Sequence, residues 1–215
     1  FGFLNLRLVS PRENHLSDRA LAMAAGAGRV LDQAQVFKNV ADACKDLNEV
    51  LATSARERYK YKDVVDPIMG CDAIFQSCIS GVKVGILFGG ERAGLSNEDL
   101  FLAKKLIRIP SNPIFSSLNL AQSVLLISYQ LNVCSLKKNA GSSQNNVPIS
   151  KANYEEMQAF AKRLENELDK KNFFYPEGKK KRMKTRLRKL IYGLELNKED
   201  VKIFHGVLKA LTKKS

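Results

Sequence analysis

Short apolar runs alternate with stretches of helical character along the first half of this sequence. The segments "LNLRLV" (4–9), "EVLATS" (49–54), "VKVGILF" (82–88) and "KKLIRIP" (104–110) have the composition of strands. Helix-forming stretches lie between them. One begins after Ser17, a predicted N-cap, and another is opened by Ser96, where "SNED" is similar to a capping box. Strands that alternate with helices pair in parallel. The sequence therefore predicts an α/β fold built on a parallel sheet.

The composition changes between residues 137 and 150, where "KKNAGSSQNNVPIS" is polar and without periodicity, which predicts a linker. Beyond it, apolar residues recur at helical spacing in three stretches, so we expect three helices that bury these stripes against one another. The stripes are Met157, Phe160, Ala161, Leu164 and Leu168; Leu187, Leu190, Ile191 and Leu194; and Val201, Phe204, Leu208 and Leu211. The predicted organisation is an α/β domain (1–136), a linker (137–150) and a small C-terminal α-helical domain (151–215).

The charge of the chain is strongly positive, with 35 Lys and Arg against 22 Asp and Glu and a net charge of +13. The C-terminal domain holds most of this excess, and "GKKKRMKTRLRK" (178–189) is its densest stretch. A surplus of this kind suits a polyanionic partner, nucleic acid before a membrane surface. A solvated lysine-rich helix is the alternative. The candidate phosphate contacts are Lys179, Lys180, Lys181, Arg182, Arg186 and Arg188.

Several other classes of protein are excluded by the sequence. The four cysteines form no C-x-x-C pair, and two histidines are too few to complete a zinc site with them, so no metal is expected. The cysteine pattern fits a reducing, cytoplasmic compartment. No apolar run approaches the roughly 18 to 20 residues of a membrane span, so we expect no membrane association.

Small or hydrogen-bonding residues follow three of the predicted strands. Thr53, Ser54 and Ala55 end the second strand, Gly89 follows the third, and Ile109 ends the fourth. Each taken alone is equally typical of a surface turn. Ligands of open α/β sheets, however, bind beyond the carboxyl ends of the strands. Together these residues predict one ligand crevice, although neither a P-loop nor a G-x-G-x-x-G motif is present.

Three segments carry a resemblance to a known family. "FGGERAGLSNEDL" (88–100) resembles the second motif, and "IPSNPIFSSLNLAQSV" (109–124) the third motif, of the SpoU-type RNA ribose 2′-O-methyltransferases of the SPOUT class. "ATSARER" (52–58) is similar to a segment of the TrmJ branch, which methylates tRNA. The segments 1–12 and 22–37 also resemble that branch, as does the basic C-terminal domain more loosely.

The resemblance implies a SPOUT α/β-knot, in which the C-terminal part of the parallel sheet is tied in a trefoil knot. It also implies S-adenosyl-L-methionine as cofactor and a homodimer. The implied cofactor-binding residues are Thr53, Ser54, Ala55, Gly89, Ile109, Ser116, Ser117 and Leu118. Those matching catalytic positions are Glu91, Ser117 and Asn119. We expect Arg56 and Arg92 to contact RNA.

The implied function is S-adenosylmethionine-dependent 2′-O-methylation of tRNA, at anticodon-loop position 32 by the resemblance to the TrmJ branch. Ribosomal RNA is a less favoured substrate. The family's first motif, which carries its catalytic arginine, should stand immediately before Phe1 and is absent from these 215 residues. We expect a longer protein to supply it. The alternatives are a non-catalytic RNA-binding protein on the same scaffold and a doubly wound enzyme for small nucleotides.

Two further features of the C-terminal domain have structural interpretations. His205, beside Phe204 on the last helix, is expected to be a structural or surface histidine rather than an acid or base. The aromatic run Phe173, Phe174 and Tyr175 has two interpretations: its rings stack on bases, or they fill the junction between helices. The neighbouring Pro176 favours the second.

Overall fold

The computed structural model describes residues 1–55, 63–139 and 150–213. Its α/β part contains six strands and six helices in the described residues. The strands are β1 (Arg7–Val9), β2 (Gln35–Phe37), β3 (Glu49–Thr53), β4 (Val64–Val65), β5 (Val84–Leu87) and β6 (Lys105–Ile107). The helices are α1 (Asp18–Met23), α2 (Gly28–Asp32), α3 (Val40–Cys44), α4 (Pro67–Ile79), α5 (Asn97–Leu102) and α6 (Leu120–Asn139), with a 3₁₀ turn at Pro113–Phe115.

All described strand pairs are parallel, as the sequence predicts. Four strands form the central sheet in the order β4-β6-β3-β5, and β1 and β2 form a separate pair. The strand that comes last in the chain, β6, lies between β4 and β3 and pairs with both. The central sheet is therefore completed by a strand inserted between two that precede it.

The short outer pair is tied to the rest of the domain by Arg7. Its guanidinium donates two hydrogen bonds to the Asp46 carboxylate, at 2.6 and 2.8 Å, and lies 5.7 Å from the centre of the Phe37 ring. The hydrogen bond that Arg7 donates to Asp46 raises the pKa of Arg7, and the same contact lowers the pKa of Asp46. One ion pair thus joins β1 to the segment that leads into β3.

The two faces of the central sheet are covered by different helices. One apolar cluster lies under α3 and α5 and includes Cys44, Ala52 and Leu106. The other lies under α4 and α6 and includes Ile107 and Ile127, which are 0 and 1% exposed. Because both faces are buried, the strands are apolar runs rather than alternating ones.

The predicted element boundaries need three corrections. The strands are shorter than the apolar runs, and β1 begins at Arg7 rather than at residue 4. The strands β2 and β4, of three and two residues, were not predicted, because so few residues carry no recognisable period. The helix α6 continues to Asn139, into the predicted linker, since lysine and leucine propagate a helix well. Residues 140–149 lie outside the described ranges.

The C-terminal domain consists of α7 (Tyr154–Lys170), α8 (Glu177–Tyr192) and α9 (Lys198–Thr212), as predicted. Its core contains Met157, Phe160, Ile191, Val201 and Leu208. Several residues of the predicted stripes are exposed rather than buried. Leu190, Leu194 and Leu211 are 64, 47 and 74% exposed, because both α8 and α9 pack on α7 and each keeps one side in solvent. No described helix is long and apolar enough to cross a membrane.

The helical domain docks on the amino end of β3 through backbone hydrogen bonds. The amides of Tyr154 and Glu155, in the first turn of α7, donate to the carbonyls of Leu47 and Lys45 at 2.9 and 3.1 Å. Amides of a first helical turn have no partner within the helix. The α/β domain therefore supplies hydrogen-bond acceptors for these two amides, and the hydrogen bonds hold α7 in a defined position on that domain.

A partly buried ion cluster lies at this contact, and its central residue is Glu49, whose side chain is 9% exposed. The carboxylate accepts hydrogen bonds from Ser77 Oγ at 2.9 Å, from Lys104 Nζ at 3.3 Å and from Lys151 Nζ. Lys104 also pairs with Glu195 of the helical domain. Burial acts to raise the pKa of Glu49, but the hydrogen bond from Lys151 and the charge of Lys104 outweigh it, so the pKa lies below its ordinary value.

We expect Glu49→Gln to lower the free energy of unfolding by about 1–3 kcal/mol at pH 7, because two partly buried ammonium groups lose their shared carboxylate. A carboxyl with a depressed pKa stabilises the fold above its ordinary pKa of 4.5 and loses that effect as the pH falls through the folded-state value. Urea unfolding should therefore separate the two proteins at pH 7, and the difference should shrink as the pH falls below 4.5. The control is Glu177→Gln, since Glu177 is 83% exposed. Equal stabilities at pH 7 would contradict the account.

Candidate functional site

The carboxyl ends of three strands meet at one edge of the central sheet. In the register of the sheet, Thr53 of β3 lies opposite Ile107 of β6, and Ala52 lies opposite Leu87 of β5. Thr53 Oγ1 donates to the Leu87 carbonyl at 3.2 Å, and the Ser54 amide donates to the Ile107 carbonyl at 3.2 Å. Since paired strands lie about 4.8 Å apart, the segments that follow them begin side by side.

The loop after β5 is closed on itself by glycines. A Cβ atom at Gly89 would lie 2.3 Å from the carbonyl carbon of Gly94 and from the nitrogen of Leu95, so only glycine fits there. The Gly94 amide donates to the Gly90 carbonyl at 2.8 Å, and Gly94 has a φ of +68°. The backbone thus returns at once on itself, and Glu91 is exposed on the turn.

The helix after this loop begins at a capping box. Ser96 Oγ accepts the Asp99 amide at 3.1 Å, and the Asp99 carboxylate accepts the Ser96 amide at 3.0 Å. This confirms the predicted start of α5 and fixes the end of the second-motif loop. Arg92 lies on the exposed part of that loop, between the strand and the cap.

The loop between β6 and α6 is held by its own polar side chains. Asn112 Oδ1 accepts the Ile114 amide at 2.9 Å and starts the 3₁₀ turn. Ser111 Oγ donates to the Ser116 carbonyl at 2.9 Å and closes the loop across that turn. The prolines and serines of this segment therefore build a fixed path, and the hydroxyl of Ser117 is left exposed after it.

Asn119 joins the loop to α6 as a helix cap. Its Oδ1 accepts the amides of Ala121 at 2.8 Å and Gln122 at 3.4 Å. The cap explains why an asparagine suits this position, whatever else the residue does. Its side-chain amide group has no hydrogen-bond acceptor among the described residues, so this donor is available at the edge.

The structure brings most of the predicted site residues to this edge. By the register of the sheet and the course of the loops, the following lie on it or on the loops that leave it: Thr53, Ser54, Ala55, Gly89, Glu91, Arg92, Ile109, Ser116, Ser117, Leu118 and Asn119. Arg56 belongs to residues 56–62, outside the described ranges. Their roles in binding or catalysis stay predictions.

The environment of the cysteines is typical of structural rather than reactive residues. Cys44, Cys71 and Cys134 are buried, and all four cysteines are free thiols. Burial raises the pKa of Cys44 to about 11 and that of Cys71 to about 12, so both stay protonated at neutral pH. The described residues hold no group of three or more His, Cys, Asp or Glu side chains that could bind a metal ion. These observations give no support to a reactive cysteine at this edge of the sheet.

The basic helix α8 divides into two sides. On the side facing α7, Lys180 and Lys184 pair with Asp169 at 3.0 and 2.8 Å, and Arg188 pairs with the buried Glu165. These cations neutralise carboxylates of the domain itself. The sequence-based prediction did not separate them, because the charge run alone does not show which side faces α7.

The other side of α8 carries Lys179, Arg182 and Arg186, which are exposed. Their spacing of three and four residues places them on one helical face. No carboxylate in the described part of the chain forms an ion pair with them. We call these three residues the outer cation stripe. Lys181 is also exposed but points away from this face by helical geometry.

The aromatic run before α8 differs from the favoured prediction. Phe174 is 4% exposed and fills the junction as expected, but Phe173 and Tyr175 are 55 and 80% exposed. Only one ring of three fits between the helices. His205 is half-buried, with Nδ1 3.1 Å from an Arg163 nitrogen and its ring against Phe160, consistent with a structural histidine.

Two known proteins are similar in sequence to almost the whole of this chain. The chain is 31% identical over 221 residues to an uncharacterized tRNA/rRNA methyltransferase of Haemophilus influenzae, covering 99% of this chain and 85% of that protein. It is 31% identical over 216 residues to the tRNA (cytidine/uridine/adenosine-2′-O-)-methyltransferase TrmJ of Pseudomonas aeruginosa, covering 96% of this chain and 82% of the relative.

A solved structure is similar over nearly the whole chain. The crystal structure of TrmJ from Z. mobilis superposes with a TM-score of 0.84 at 39% sequence identity, covering 99% of this chain and 89% of that one. The family model for SpoU rRNA methylases matches residues 1–129, which contain the three strand ends and the loops that leave them. The chain belongs to the SpoU rRNA methylase family.

Proposed function

We propose that this protein is an S-adenosyl-L-methionine-dependent tRNA ribose 2′-O-methyltransferase. The observation that carries the proposal is the convergence of three strand ends at one sheet edge, two of which lead directly into the segments that resemble the second and third family motifs. Ligands of open parallel sheets bind at such an edge.

The substrate follows from the relatives. The relative from Pseudomonas aeruginosa is named for methylation of the 2′-oxygen of tRNA nucleotides. This relative and TrmJ from Z. mobilis both align with almost the whole of this chain, including its helical domain. We infer that tRNA is the substrate and that the target is position 32 of the anticodon loop, with ribosomal RNA the less supported choice.

The edge fits the proposed cofactor through backbone groups and open space. A Cβ added at Gly90 would meet no atom within 4 Å, so the mouth of the second-motif loop is open. The small side chains of Ser54 and Ala55 leave room for the edge of an adenine ring. The half-buried Leu118 offers an apolar surface to the face of that ring. When bound, S-adenosyl-L-methionine supplies an electrophilic methyl group.

The residues of the loops have separate roles in this proposal. Glu91, exposed on its turn, places a carboxylate where the ribose enters and accepts a hydrogen bond from it. Ser117 offers an exposed hydroxyl from the opposite loop. Asn119 keeps that loop attached to α6 through its cap and presents its side-chain amide hydrogens to the site. The ribose hydroxyl must lose a proton as it attacks, and the family's first motif, with its catalytic arginine, belongs to that step.

The trefoil knot and the homodimer are part of the proposal. The insertion of β6 between β3 and β4, followed by a loop that leads into α6, supports the knot. The dimer is supported by an apolar face on α6, where Leu125, Tyr129 and Leu136 share one side and are 57, 54 and 61% exposed. The free thiols fit a cytoplasmic location, where tRNA is modified.

The helical domain supplies the electrostatic part of RNA binding. The outer cation stripe (Lys179, Arg182 and Arg186) is exposed and free of carboxylate partners within the described residues, so it can neutralise phosphates at little cost. Lys180 and Arg188 contribute less, because RNA would have to compete with Asp169 and Glu165 for them. The docking at Glu49 gives the stripe a fixed position on the α/β domain.

The direct test is methyl transfer. The protein, expressed with whatever residues its gene encodes before Phe1, should incorporate labelled methyl groups from S-adenosyl-L-methionine into unmodified tRNA. Nuclease mapping should then find a 2′-O-methyl group in the anticodon loop. Ribosomal RNA serves as the competing substrate. If tRNA binds but neither RNA is methylated, the non-catalytic RNA-binding alternative replaces this proposal.

The division of α8 predicts different effects of removing its charges. Arg182→Gln with Arg186→Gln should weaken tRNA binding and lower the salt dependence of log Kd by about one for each phosphate that is no longer neutralised. The matched variant is Lys184→Gln, which removes a cation paired with Asp169 and should lower stability while leaving the salt slope unchanged. Filter binding over a salt series measures both. Equal slopes in all three proteins would contradict the assignment.

A further inference from the structure

Two aromatic rings project into solvent immediately before α8. Phe173 is 55% exposed and Tyr175 is 80% exposed, while Phe174 between them is 4% exposed. Single exposed apolar residues are ordinary on protein surfaces. Two large rings on one short segment that leads into the most basic helix form a more specific combination, since aromatic faces and cations together are the elements that bind single-stranded nucleic acid.

The segment that carries the rings is held in place. The buried Phe174 ring lies under Lys184, whose Nζ is 5.2 Å from the ring centre. The Phe173 ring stands edge-on to it, with centroids 5.3 Å apart and an interplanar angle of 83°. The Phe173 amide donates to the Leu168 carbonyl at 3.0 Å. A ring on an ordered segment loses little conformational entropy when a ligand binds.

The exposed rings adjoin the outer cation stripe. Tyr175 directly precedes Pro176, the N-cap of α8, and Lys179 is exposed within the first turn of that helix. From Lys179 to Arg186 the helix rises about 10 Å, so the stripe is long enough to contact more than one phosphate of a strand. A strand whose phosphates follow the stripe therefore has its next nucleotides beside the rings.

We propose that Phe173 and Tyr175 form a stacking site for an unpaired nucleobase, next to the phosphates held by the outer cation stripe. The inference rests on the proposed function and narrows its ligand to RNA with a single-stranded segment. In a duplex the faces of the bases are covered by their neighbours, whereas an unpaired base offers its face to an aromatic ring. Every base has such a face, so the site tolerates different sequences.

The absence of tryptophan from the sequence allows a direct test. Tyr175→Trp gives the 215-residue chain a single indole, which is quenched when a base stacks on it. We expect quenching by a single-stranded oligoribonucleotide of about 12 nucleotides and by tRNA, and little change with a duplex of the same strand. Leu211→Trp, at a position on α9 that is 74% exposed, is the matched control and should respond to neither RNA.

Affinity measurements separate stacking from charge. Tyr175→Ala should weaken binding of the single strand by about 5- to 100-fold and leave its salt slope unchanged, while Tyr175→Phe should retain the wild-type affinity. Arg182→Gln should instead lower the slope.

The outcomes distinguish this inference from the proposed function. RNA binding is measured by the fluorescence anisotropy of a labelled strand. If the Tyr175→Trp protein binds the strand without quenching, or if the duplex quenches it equally, the stacking site is overturned but the cation stripe is not. No RNA binding at all would overturn both the stacking site and the cation stripe. Methyl transfer to tRNA, which tests the proposed function, is measured separately from quenching and from RNA binding.

Discussion

The insertion of β6 between β3 and β4 is the constraint on which the site depends. Parallel pairing of β6 with both neighbours fixes its register, and with it the place where the chain leaves the sheet. The Thr53 and Ser54 hydrogen bonds to Leu87 and Ile107 then hold the ends of β5, β3 and β6 together. Three loops that are far apart in the sequence start from one edge because of this register.

Strand β3 connects two regions of the molecule: it begins at the contact with the helical domain and ends at the candidate pocket. Glu49 opens β3 and binds Lys104 and Lys151, while Thr53 closes it. Four steps of about 3.3 Å separate them, or about 13 Å. The helical domain is therefore attached to the end of the sheet opposite the candidate pocket, through β3 itself. The position of the cations on α8 relative to this candidate pocket depends on one short strand and on the ion pairs of Glu49.

The sequence predicted those features that depend on local pattern or on a motif. Apolar runs located four of the strands, and the Ser17 and Ser96 caps were identified because such residues satisfy free amides at helix starts. The features that depend on long-range contacts were not predicted. Nothing near Glu49 in the sequence indicates that its partners lie 55 and 102 residues away.

The basic run shows the same limit on a smaller scale. Its helical nature and its charge can be read from the sequence, but the division of its cations depends on where Asp169 and Glu165 of α7 come to lie. The sequence favours a place in the junction between helices for the aromatic run, over stacking on bases, because an aromatic cluster beside a proline is typical of a filled junction. Only Phe174 is buried in this junction, and the ammonium group that lies over its ring belongs to Lys184 of α8.

The central claim is that the three loops at the sheet edge form one cofactor pocket. Amide hydrogen exchange with and without S-adenosylhomocysteine tests it most directly, because exchange reports binding segment by segment. The account predicts slower exchange together in residues 53–55, 89–95 and 109–119, and unchanged exchange in α7–α9. Protection of one loop alone, or protection confined to the helical domain, would contradict it.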